Sequence, residues 1–257
     1  MNYILITGAS KGIGLSIARS WAARGFNVLL VARGAEALET AAAAIRKDFG
    51  VQVDFRSEDL GDAAAPQRLL DWCRSSGYAV QGLVNNAGFG SSGAFTELPL
   101  EGQQNMMQVN MNALVALTHL FLPELKKQPK AWLLNIASSA AYQAVPFLSI
   151  YAATKAFVLT FSRGLRYELR DSSVSVTCVC PGSTDTDFAN RAQVGPKAQK
   201  AAEKVNMTPE AVAEAAVKAT LQGRAEVITG AINKLGAFLV WLFPKSLAEK
   251  TAAGLYK

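Results

Sequence analysis

Histidine and cysteine are nearly absent from this 257-residue chain, which has one histidine, His119, and three cysteines, Cys73, Cys178 and Cys180. An odd, small number of cysteines favours a reducing compartment over a disulfide framework. Cys178 and Cys180 are predicted to share one face of a strand and to pack in the core, because the ligands that would complete a zinc site are missing. His119 is predicted to pack within a helix. We therefore expect no metal site and no histidine-based mechanism.

Long apolar runs are also missing. The longest, Leu235–Phe243, is far short of the roughly 20 residues that a membrane-spanning helix needs. The opening apolar run stops at Thr7 without a basic region before it, so no signal peptide is expected and a cytoplasmic protein is predicted. Lys and Arg number 26 against 20 Asp and Glu, a net charge of +6, yet no basic cluster with interleaved aromatics predicts a nucleic-acid partner.

Short apolar runs alternate with longer amphipathic ones. The predicted strands are Tyr3–Thr7, Asn27–Ala32, Val51–Phe55, Gly82–Asn85, Ala131–Ala137, Ser173–Cys180 and Glu226–Thr229. The predicted helices are Gly12–Arg24, Ala35–Phe49, Ala63–Ser76, Leu100–Lys126, Tyr151–Arg170 and Pro209–Gln222, the last with a Thr208 cap. This alternation predicts an α/β fold with a doubly wound parallel sheet, in one domain over residues 1–257. Such a sheet binds ligands at the carboxyl ends of its strands.

The loop after the first predicted strand reads T-G-A-S-K-G-I-G over residues 7–14. Gly8 allows a sharp turn, Gly12 lets the backbone approach a pyrophosphate, and Gly14 lets the helix pack close to the strand. The free N–H groups at the helix start then face the anion. The alternative is an ordinary glycine-rich turn, which is disfavoured because the loop follows the first strand and opens a helix. The pattern predicts a dinucleotide cofactor.

The second predicted strand ends in the neutral Ala32, which Arg33 follows. A carboxylate here would bind the ribose 2′-hydroxyl and repel a 2′-phosphate, whereas the guanidinium of Arg33 can pair with that phosphate. Ser10 and Lys11 can add a hydroxyl and a second positive charge. The alternative is that Arg33 and Lys11 are solvated surface cations. The pattern favours NADP over NAD.

Tyr151 and Lys155 lie four residues apart on one face of a predicted helix. A tyrosine hydroxyl has a pKa of about 10, too high for a base near neutrality. A nearby ammonium lowers that pKa. The pair is therefore a candidate proton donor and acceptor for the interconversion of a carbonyl and an alcohol.

Several motifs in order along the chain resemble those of the short-chain dehydrogenase/reductase family. They are Thr7-Gly8 through Gly14, Asn85-Asn86-Ala87-Gly88, Asn110, Ser138, Tyr151 with Lys155, and Pro181-Gly182. The resemblance implies a Rossmann-type fold and an NADP(H)-dependent oxidoreductase that interconverts a ketone or aldehyde and an alcohol. It also implies a homo-oligomer, a dimer or a tetramer, although Val227-Ile228-Thr229-Gly230 stands where many members have an Asp-Gly-Gly segment that helps to build the tetramer.

The resemblance assigns four catalytic residues. Tyr151 looks like the general acid/base, and Lys155 like the residue that lowers its pKa and binds the nicotinamide ribose. Ser138, rather than Ser139, would hydrogen-bond the substrate oxygen, because the family's serine lies thirteen positions before the tyrosine. Asn110 resembles the asparagine that holds a water linking Lys155 to solvent.

The resemblance also assigns the cofactor contacts. Asp59 and Leu60 would flank adenine, although Asp59 could instead cap a turn, and Thr184 stands where the family commonly has an aliphatic residue. The predicted cofactor-binding residues are Gly8, Ser10, Lys11, Gly12, Ile13, Gly14, Arg33, Asp59, Leu60, Asn86, Ala87, Gly88, Tyr151, Lys155, Pro181, Gly182, Thr184 and Thr186.

The substrate walls are predicted at Phe89–Pro99, at Ala140–Ser149 and in a lid over residues 186–207. Their aromatic residues are Phe89, Phe95, Tyr142, Phe147 and Phe188, with few charges among them, which predicts a hydrophobic carbonyl or alcohol substrate.

An apolar and basic C-terminal extension, residues 231–257, is predicted to cover the cavity entrance, with any helix there interrupted at Pro244. The extension could pack on its own domain or a second copy. Alternatively, it could contact anionic lipid and place the protein peripherally at the inner face of a membrane.

Two other functions remain open. One is a catalytically silent NADP(H)-binding sensor or scaffold, which would not need Ser138, Tyr151, Lys155 and Asn110 together. The other is nucleotide-sugar epimerase or dehydratase chemistry, which the short substrate region disfavours.

Overall fold

A computed structural model describes residues 2–203 and 205–256. Its seven strands form one parallel sheet in the order β3-β2-β1-β4-β5-β6-β7. The strands are β1 Asn2–Thr7, β2 Asn27–Ala32, β3 Val53–Ser57, β4 Ala79–Asn85, β5 Ala131–Ile136, β6 Val174–Cys180 and β7 Glu226–Ile228. The helices are α1 Gly12–Ala22, α2 Ala35–Phe49, α3 Ala65–Ser75, α4 Leu100–Met107, α5 Ala113–Lys126, α6 Ser149–Glu168, α7 Phe188–Arg191, α8 Pro196–Glu203, α9 Pro209–Leu221, α10 Ala231–Leu242 and α11 Lys245–Tyr256.

Helices cover both faces of the sheet, as the near-continuous apolar strands require. Alternate residues of β1 point to opposite faces, so Ile4 and Ile6 join one core cluster and Leu5 joins the other. The first cluster includes Trp21 of α1, and the second includes Phe121 of α5. The predicted doubly wound Rossmann-type fold is thereby confirmed, and the loops that follow the strands meet at one edge of the sheet.

The predicted helix Leu100–Lys126 is wrong in one respect, because a π turn at Gln108–Asn112 divides it into α4 and α5. Asn110 lies in this turn, and its buried side chain bonds to other segments of the chain. Apolar periodicity cannot show such an inserted residue. The third strand also begins two residues later than predicted, at Val53.

The fold confirms two further sequence predictions and contradicts a third. Cys178 and Cys180 are fully buried in the core, as predicted. Thr208 caps α9 by accepting a hydrogen bond from the Ala211 N–H at 3.2 Å, also as predicted. His119, however, lies on the exposed side of α5 rather than packing in the core, because the face of α5 that packs on the sheet is occupied by its apolar residues.

The C-terminal segment forms two helices, α10 and α11, on either side of Pro244, where sequence analysis predicts the break. Ala252 of α11 is buried against Val145, Leu148 and Ala152, so α11 packs back on the chain. No residue of α10 is buried. Within residues 2–203 and 205–256, none of the helices has the length and apolarity needed to cross a bilayer.

Candidate active site

A cavity of about 940 Å³ opens at the carboxyl ends of the strands. Segments that follow all seven strands contribute to its wall. Except for Asn110, every predicted site residue lines it: Gly8, Ser10, Lys11, Gly12, Ile13, Gly14, Arg33, Asp59, Leu60, Asn86, Ala87, Gly88, Ser138, Tyr151, Lys155, Pro181, Gly182, Thr184 and Thr186. The structure thus brings together residues that are up to 178 positions apart in sequence, from Gly8 to Thr186.

The glycine-rich loop forms the cradle that an anionic cofactor group requires. Gly8 and Gly12 have φ angles of +66° and +57°, which side chains other than glycine rarely adopt. A Cβ atom on Gly14 would lie 2.2 Å from the main-chain oxygen of Gly8, so only glycine fits there. The side chain of the N-cap residue Lys11 makes no capping hydrogen bond at the start of α1, so the first N–H groups of the helix can face a pyrophosphate.

Two side chains hold this loop against the segment after β4. The amide nitrogen of Asn86 donates to the main-chain oxygens of Thr7 and Gly8, at 2.9 and 3.2 Å. The hydroxyl of Thr7 accepts hydrogen bonds from the N–H groups of Asn86 and Ala87. The side chain of Asn86 therefore fixes the cradle and leaves its main chain to line the cavity.

At the end of β2, the side chain of Arg33 is exposed at the cavity rim and makes no hydrogen bond or ion pair with the described residues. Lys11 instead forms an ion pair with Asp187 of the predicted lid, at 2.7 Å. This hydrogen bond lowers the pKa of Asp187. Asp59 accepts a hydrogen bond from Gly61 N–H at 2.9 Å, so it caps a turn and also lines the cavity.

Tyr151, Lys155 and Ser138 meet at the inner end of the cavity. The two α6 residues are one turn apart, and Lys155 Nζ lies 5.8 Å from the centre of the Tyr151 ring. The same nitrogen donates to the main-chain oxygen of Ile136 at 2.9 Å, which fixes it below the ring. Ser138 follows β5 and accepts a hydrogen bond from Ala140 N–H at 3.1 Å.

Burial shifts both titratable groups towards their neutral forms. It raises the pKa of Tyr151 to about 12, although a hydrogen bond with the Ser138 hydroxyl opposes this shift. Burial also lowers the pKa of Lys155 to about 8. Tyr151 is therefore a neutral phenol near neutral pH, and Lys155 can change its charge within reach of physiological pH.

Asn110 lies behind the cavity wall rather than in it. Its side-chain nitrogen donates to the Phe89 oxygen and to the Thr154 hydroxyl, at 2.9 and 3.0 Å, and its oxygen accepts from Phe89 N–H. Both side-chain N–H groups are therefore used within the protein. The side-chain oxygen of Asn110 keeps a second lone pair, which can accept a hydrogen bond from a water that links Lys155 to solvent.

Several residues of the predicted lid, among them Thr186 and Phe188, follow β6 and line the cavity. The hydroxyl of Thr184 donates to the Gly182 oxygen at 3.1 Å, and that of Thr186 accepts a hydrogen bond from Phe188 N–H at 3.3 Å. Both hydroxyls therefore shape the loop itself. The ring of Phe188 lies 5.1 Å from that of Tyr151 and forms an apolar wall beside the phenol.

Only two of the five predicted wall aromatics, Phe89 and Phe188, line the cavity. The prediction is wrong for Tyr142, whose hydroxyl donates to Glu226 of β7 instead. It is also wrong for Phe95, which is 61% exposed, and for Phe147, which lies outside the cavity lining. Aromatic residues in the loops around a predicted site indicate that its wall is apolar. They do not indicate in which direction each ring points.

Sequence analysis predicts that the extension over residues 231–257 covers the cavity entrance, but it does not single out Asn233, Leu255 and Tyr256, which line the cavity. Asn233 follows β7 and donates to the Thr229 oxygen at 2.8 Å, so the rule on strand ends, applied to the last strand, would have found it. Leu255 and Tyr256 reach the cavity because α11 folds back on the chain. No local motif indicates that contact.

Comparisons with known proteins agree with this geometry. The sequence model of the short chain dehydrogenase family matches residues 2–196. Serine 3-dehydrogenase of Agrobacterium fabrum is 38% identical over 192 residues, which cover 72% of this chain and 73% of that protein. The 7beta-hydroxysteroid dehydrogenase of Clostridium sardiniense is 31% identical over 182 residues, with 71% of this chain and 69% of that protein covered.

A solved structure is also similar to this chain in sequence and in fold. The short-chain dehydrogenase from Sphingobium yanoikuyae, determined in complex with NADPH, superimposes with a TM-score of 0.81 at 30% identity and covers 94% of each chain. The family match spans the glycine-rich loop, the reaction centre and six of the seven strands. The chain belongs to the short-chain dehydrogenase family and is an oxidoreductase.

Proposed function

We propose that the protein is an NADP(H)-dependent oxidoreductase that interconverts a ketone or aldehyde and the corresponding alcohol, with Tyr151 as the general acid/base. One observation carries the proposal: Ser138, Tyr151 and Lys155 line the same cavity as the phosphate cradle of Gly8, Gly12 and Gly14. A bound nicotinamide supplies or accepts the hydride. The chain has to hold the substrate oxygen and move one proton.

Ser138 and Tyr151 perform the proton step. The two hydroxyls bind the carbonyl oxygen, and the Tyr151 phenol gives its proton to that oxygen as negative charge develops there. A pKa of about 12 keeps the phenol protonated near neutral pH, which is the form needed for reduction. In its protonated form, Lys155 stabilises the phenolate that remains, and in the reverse reaction it helps Tyr151 to accept the alcohol proton.

Asn110, Thr184 and Thr186 act as positioning residues in this proposal. Asn110 joins the π turn to the Phe89 main chain and to Thr154, beside Lys155. Thr184 and Thr186 hold the loop that begins at Pro181 and Gly182, where the nicotinamide carboxamide would lie. The main chain of this loop, with that of Asn86–Gly88 and with Ile13, supplies the remaining contacts.

NADP(H) is favoured over NAD(H) by the charges after β2, where the adenosine ribose of the cofactor and its 2′-phosphate would bind. The Arg33 side chain is exposed and uncompensated by the described residues, and no carboxylate follows Ala32 at the position where it would bind a 2′-hydroxyl. Ser10 can add a hydrogen bond, whereas Lys11 must leave Asp187 to contribute its charge. The Sphingobium yanoikuyae structure, with its NADPH, supports the same choice.

The substrate is proposed to be hydrophobic. Phe89, Phe188, Leu148, Leu255 and Val205 line the cavity around and beyond Tyr151. A cavity lined by apolar side chains favours a substrate whose surface is also apolar. The hydroxysteroid dehydrogenase among the relatives is consistent with a bulky apolar alcohol. A lid over residues 186–207 and the extension over residues 231–257 would enclose such a substrate.

A screen of carbonyl compounds that follows NADPH absorbance tests the proposal, with Tyr151→Phe as the decisive variant. Loss of one proton donor should lower turnover by about a thousandfold and leave NADPH affinity unchanged. Tyr142→Phe is the matched control, because its phenol lies outside the cavity and bonds Glu226. NADPH binding without turnover on any carbonyl or alcohol would favour the silent sensor instead.

A further inference from the structure

Helix α10 exposes a broad apolar surface. We define the α10 surface by the exposed large apolar side chains of α10 and of Phe243 directly after it, which are Ile232, Leu235, Phe238, Leu239, Trp241, Leu242 and Phe243. Trp241 is 79% exposed, and Leu247, in the first turn of α11, extends the surface. Single exposed apolar residues are normal, but a contiguous group of this size marks a docking site.

Positive charges outnumber negative ones around this surface. Residues 231–256 contain three lysines, Lys234, Lys245 and Lys250, against one acidic residue, Glu249. Helix α8, which contacts α11, adds two exposed lysines, Lys197 and Lys200, and one exposed glutamate, Glu203. None of these five lysines forms an ion pair with another residue in the described ranges. Their charge is therefore available to an anionic partner.

We propose that the α10 surface docks on an anionic lipid bilayer, with α10 lying in the plane of the interface. Trp and Phe side chains partition into the region between headgroups and acyl chains, and lysines beside them meet lipid phosphates. At 12 residues, α10 is about 18 Å long, too short to cross a bilayer and suited to lie in its surface.

A second copy of the chain fits this surface less well. A two-fold contact through α10 would bring the lysines of one copy against the same lysines of the other copy. Glu249 is the one carboxylate of residues 231–256 that could neutralise their charge. Like charges brought together at an interface oppose association. Anionic headgroups supply the missing opposite charge.

Docking would place the cavity entrance near the membrane. Pro244 and Lys245 lead directly from α10 into α11, whose Leu255 and Tyr256 line the cavity. An apolar substrate dissolved in the bilayer would then reach the cavity without crossing water. This last step rests on the proposed function, whereas lipid binding itself does not depend on turnover.

Vesicle sedimentation of the full-length protein tests the proposal without any assay of activity. We expect binding to phosphatidylcholine vesicles that contain about 30 mol% phosphatidylserine, and several-fold weaker binding to phosphatidylcholine alone. Trp241 emission should shift to shorter wavelength on binding and be quenched by brominated lipids, and Trp241→Phe should remove this response. The F238E/W241E variant should bind at least about tenfold more weakly.

Two further variants make the result interpretable. Leu100→Glu is the matched control, because Leu100 is 66% exposed and lies at the start of α4, where a carboxylate is tolerated. It should bind vesicles like the unmodified protein. K234E/K245E, which leaves the apolar residues in place, should weaken binding by about fivefold or more and reduce its salt dependence.

The same proteins, without lipid, are compared by sedimentation velocity. Lack of binding to anionic vesicles, or equal binding by F238E/W241E and the unmodified protein, would overturn the proposal. So would an oligomer that F238E/W241E dissociates and Leu100→Glu does not, because the α10 surface would then be an interface between copies. Unchanged circular dichroism and NADPH affinity verify that each variant is folded.

Discussion

Asn110 and the main chain of Phe89 are joined by two hydrogen bonds, in which Nδ2 donates to the Phe89 oxygen at 2.9 Å and Oδ1 accepts from its N–H at 3.1 Å. A third bond from Nδ2 reaches the Thr154 hydroxyl at 3.0 Å. One buried amide thus connects the π turn, the loop after β4 and the helix that carries Lys155. This asparagine shapes the cavity without lining it.

Asn110→Ala should therefore destabilise the fold as well as reduce turnover. It leaves the main-chain groups of Phe89 without partners in a buried setting, so the free energy of unfolding should fall by about 3 kcal/mol. Asn112→Ala is the control, because Asn112 is exposed and bonds only Gln108 in the same π turn. Urea unfolding compares the two variants. Equal losses would show that the turn itself, rather than the amide of Asn110, sets the stability.

Arg33→Asp should change the choice of cofactor. The guanidinium is expected to pair with a 2′-phosphate, and a charge-assisted hydrogen bond of this kind contributes about tenfold to a hundredfold in affinity. The unmodified protein should accordingly bind NADPH more tightly than NADH, and the variant should narrow or reverse this difference. Fluorescence titrations measure both dissociation constants.

The control for this change is Lys47→Asp, which alters the charge of an exposed residue on α2 that does not line the cavity. It should leave the ratio of the two dissociation constants unaltered. Equal affinities of the unmodified protein for NADPH and NADH would contradict the role of Arg33.

The strands and the glycine-rich loop could be predicted because their conformations depend on neighbouring residues in the sequence. β1 and β5 are short apolar runs, and the glycine-rich loop has a spacing that favours a phosphate cradle at a helix start over an ordinary turn. Because parallel strands bring their carboxyl ends to one edge, Arg33 after β2 and Ser138 after β5 are predicted to lie at the same edge. Tyr151, in α6, is assigned instead by its spacing from Lys155 and by the family resemblance.

Features that depend on distant contacts could not be predicted in this way. The π turn contains Asn110, whose side chain bonds Phe89 and Thr154, which are 21 and 44 residues away. Tyr256 lines the cavity because α11 returns to pack its Ala252 among buried residues. Likewise, Tyr142 turns towards Glu226, which is 84 residues away, and so leaves the predicted substrate wall.

Lys155 should make stability depend on pH. Its pKa is lowered from 10.5 to about 8 by burial, so below pH 8 the folded state carries a buried ammonium that the unfolded chain keeps in water. Between pH 8 and 10.5 the unfolded chain binds the additional proton, and the free energy of unfolding rises with pH. The gain across this interval is about 3 kcal/mol.

The measurement is urea unfolding at several pH values, for the unmodified protein and for Lys155→Met. The difference between the two proteins reports on Lys155, because every other residue is the same in both. That difference should increase from about pH 8 upward. Lys47→Met, which removes an exposed lysine, should follow the unmodified protein at every pH. A pH-independent difference for Lys155→Met would show that Lys155 keeps its ordinary pKa.

Tyr256 should limit the size of the substrate and tune the reaction centre. It lines the cavity from the last turn of α11 and packs with Tyr151 in the cluster of Val145, Leu148 and Ala152. Tyr256→Ala enlarges the cavity, so kcat/KM for bulky apolar ketones should rise by about tenfold relative to small ones. Leu247→Ala, on the same helix but exposed, should leave this ratio unchanged.

The Tyr256 hydroxyl, once ionised, also raises the pKa of Tyr151 by charge repulsion, although burial has the larger effect. Tyr256→Phe keeps the packing of α11 and removes that hydroxyl, so it should lower the pKa of Tyr151. The ascending limb of the pH profile for alcohol oxidation should then move to lower pH, because Tyr151 must lose its proton to act as a base. Substrate size preference should stay constant in Tyr256→Phe, since the volume of the side chain is nearly conserved. A size preference that changes in Tyr256→Phe, or that stays fixed in Tyr256→Ala, would place Tyr256 outside the substrate-binding part of the cavity.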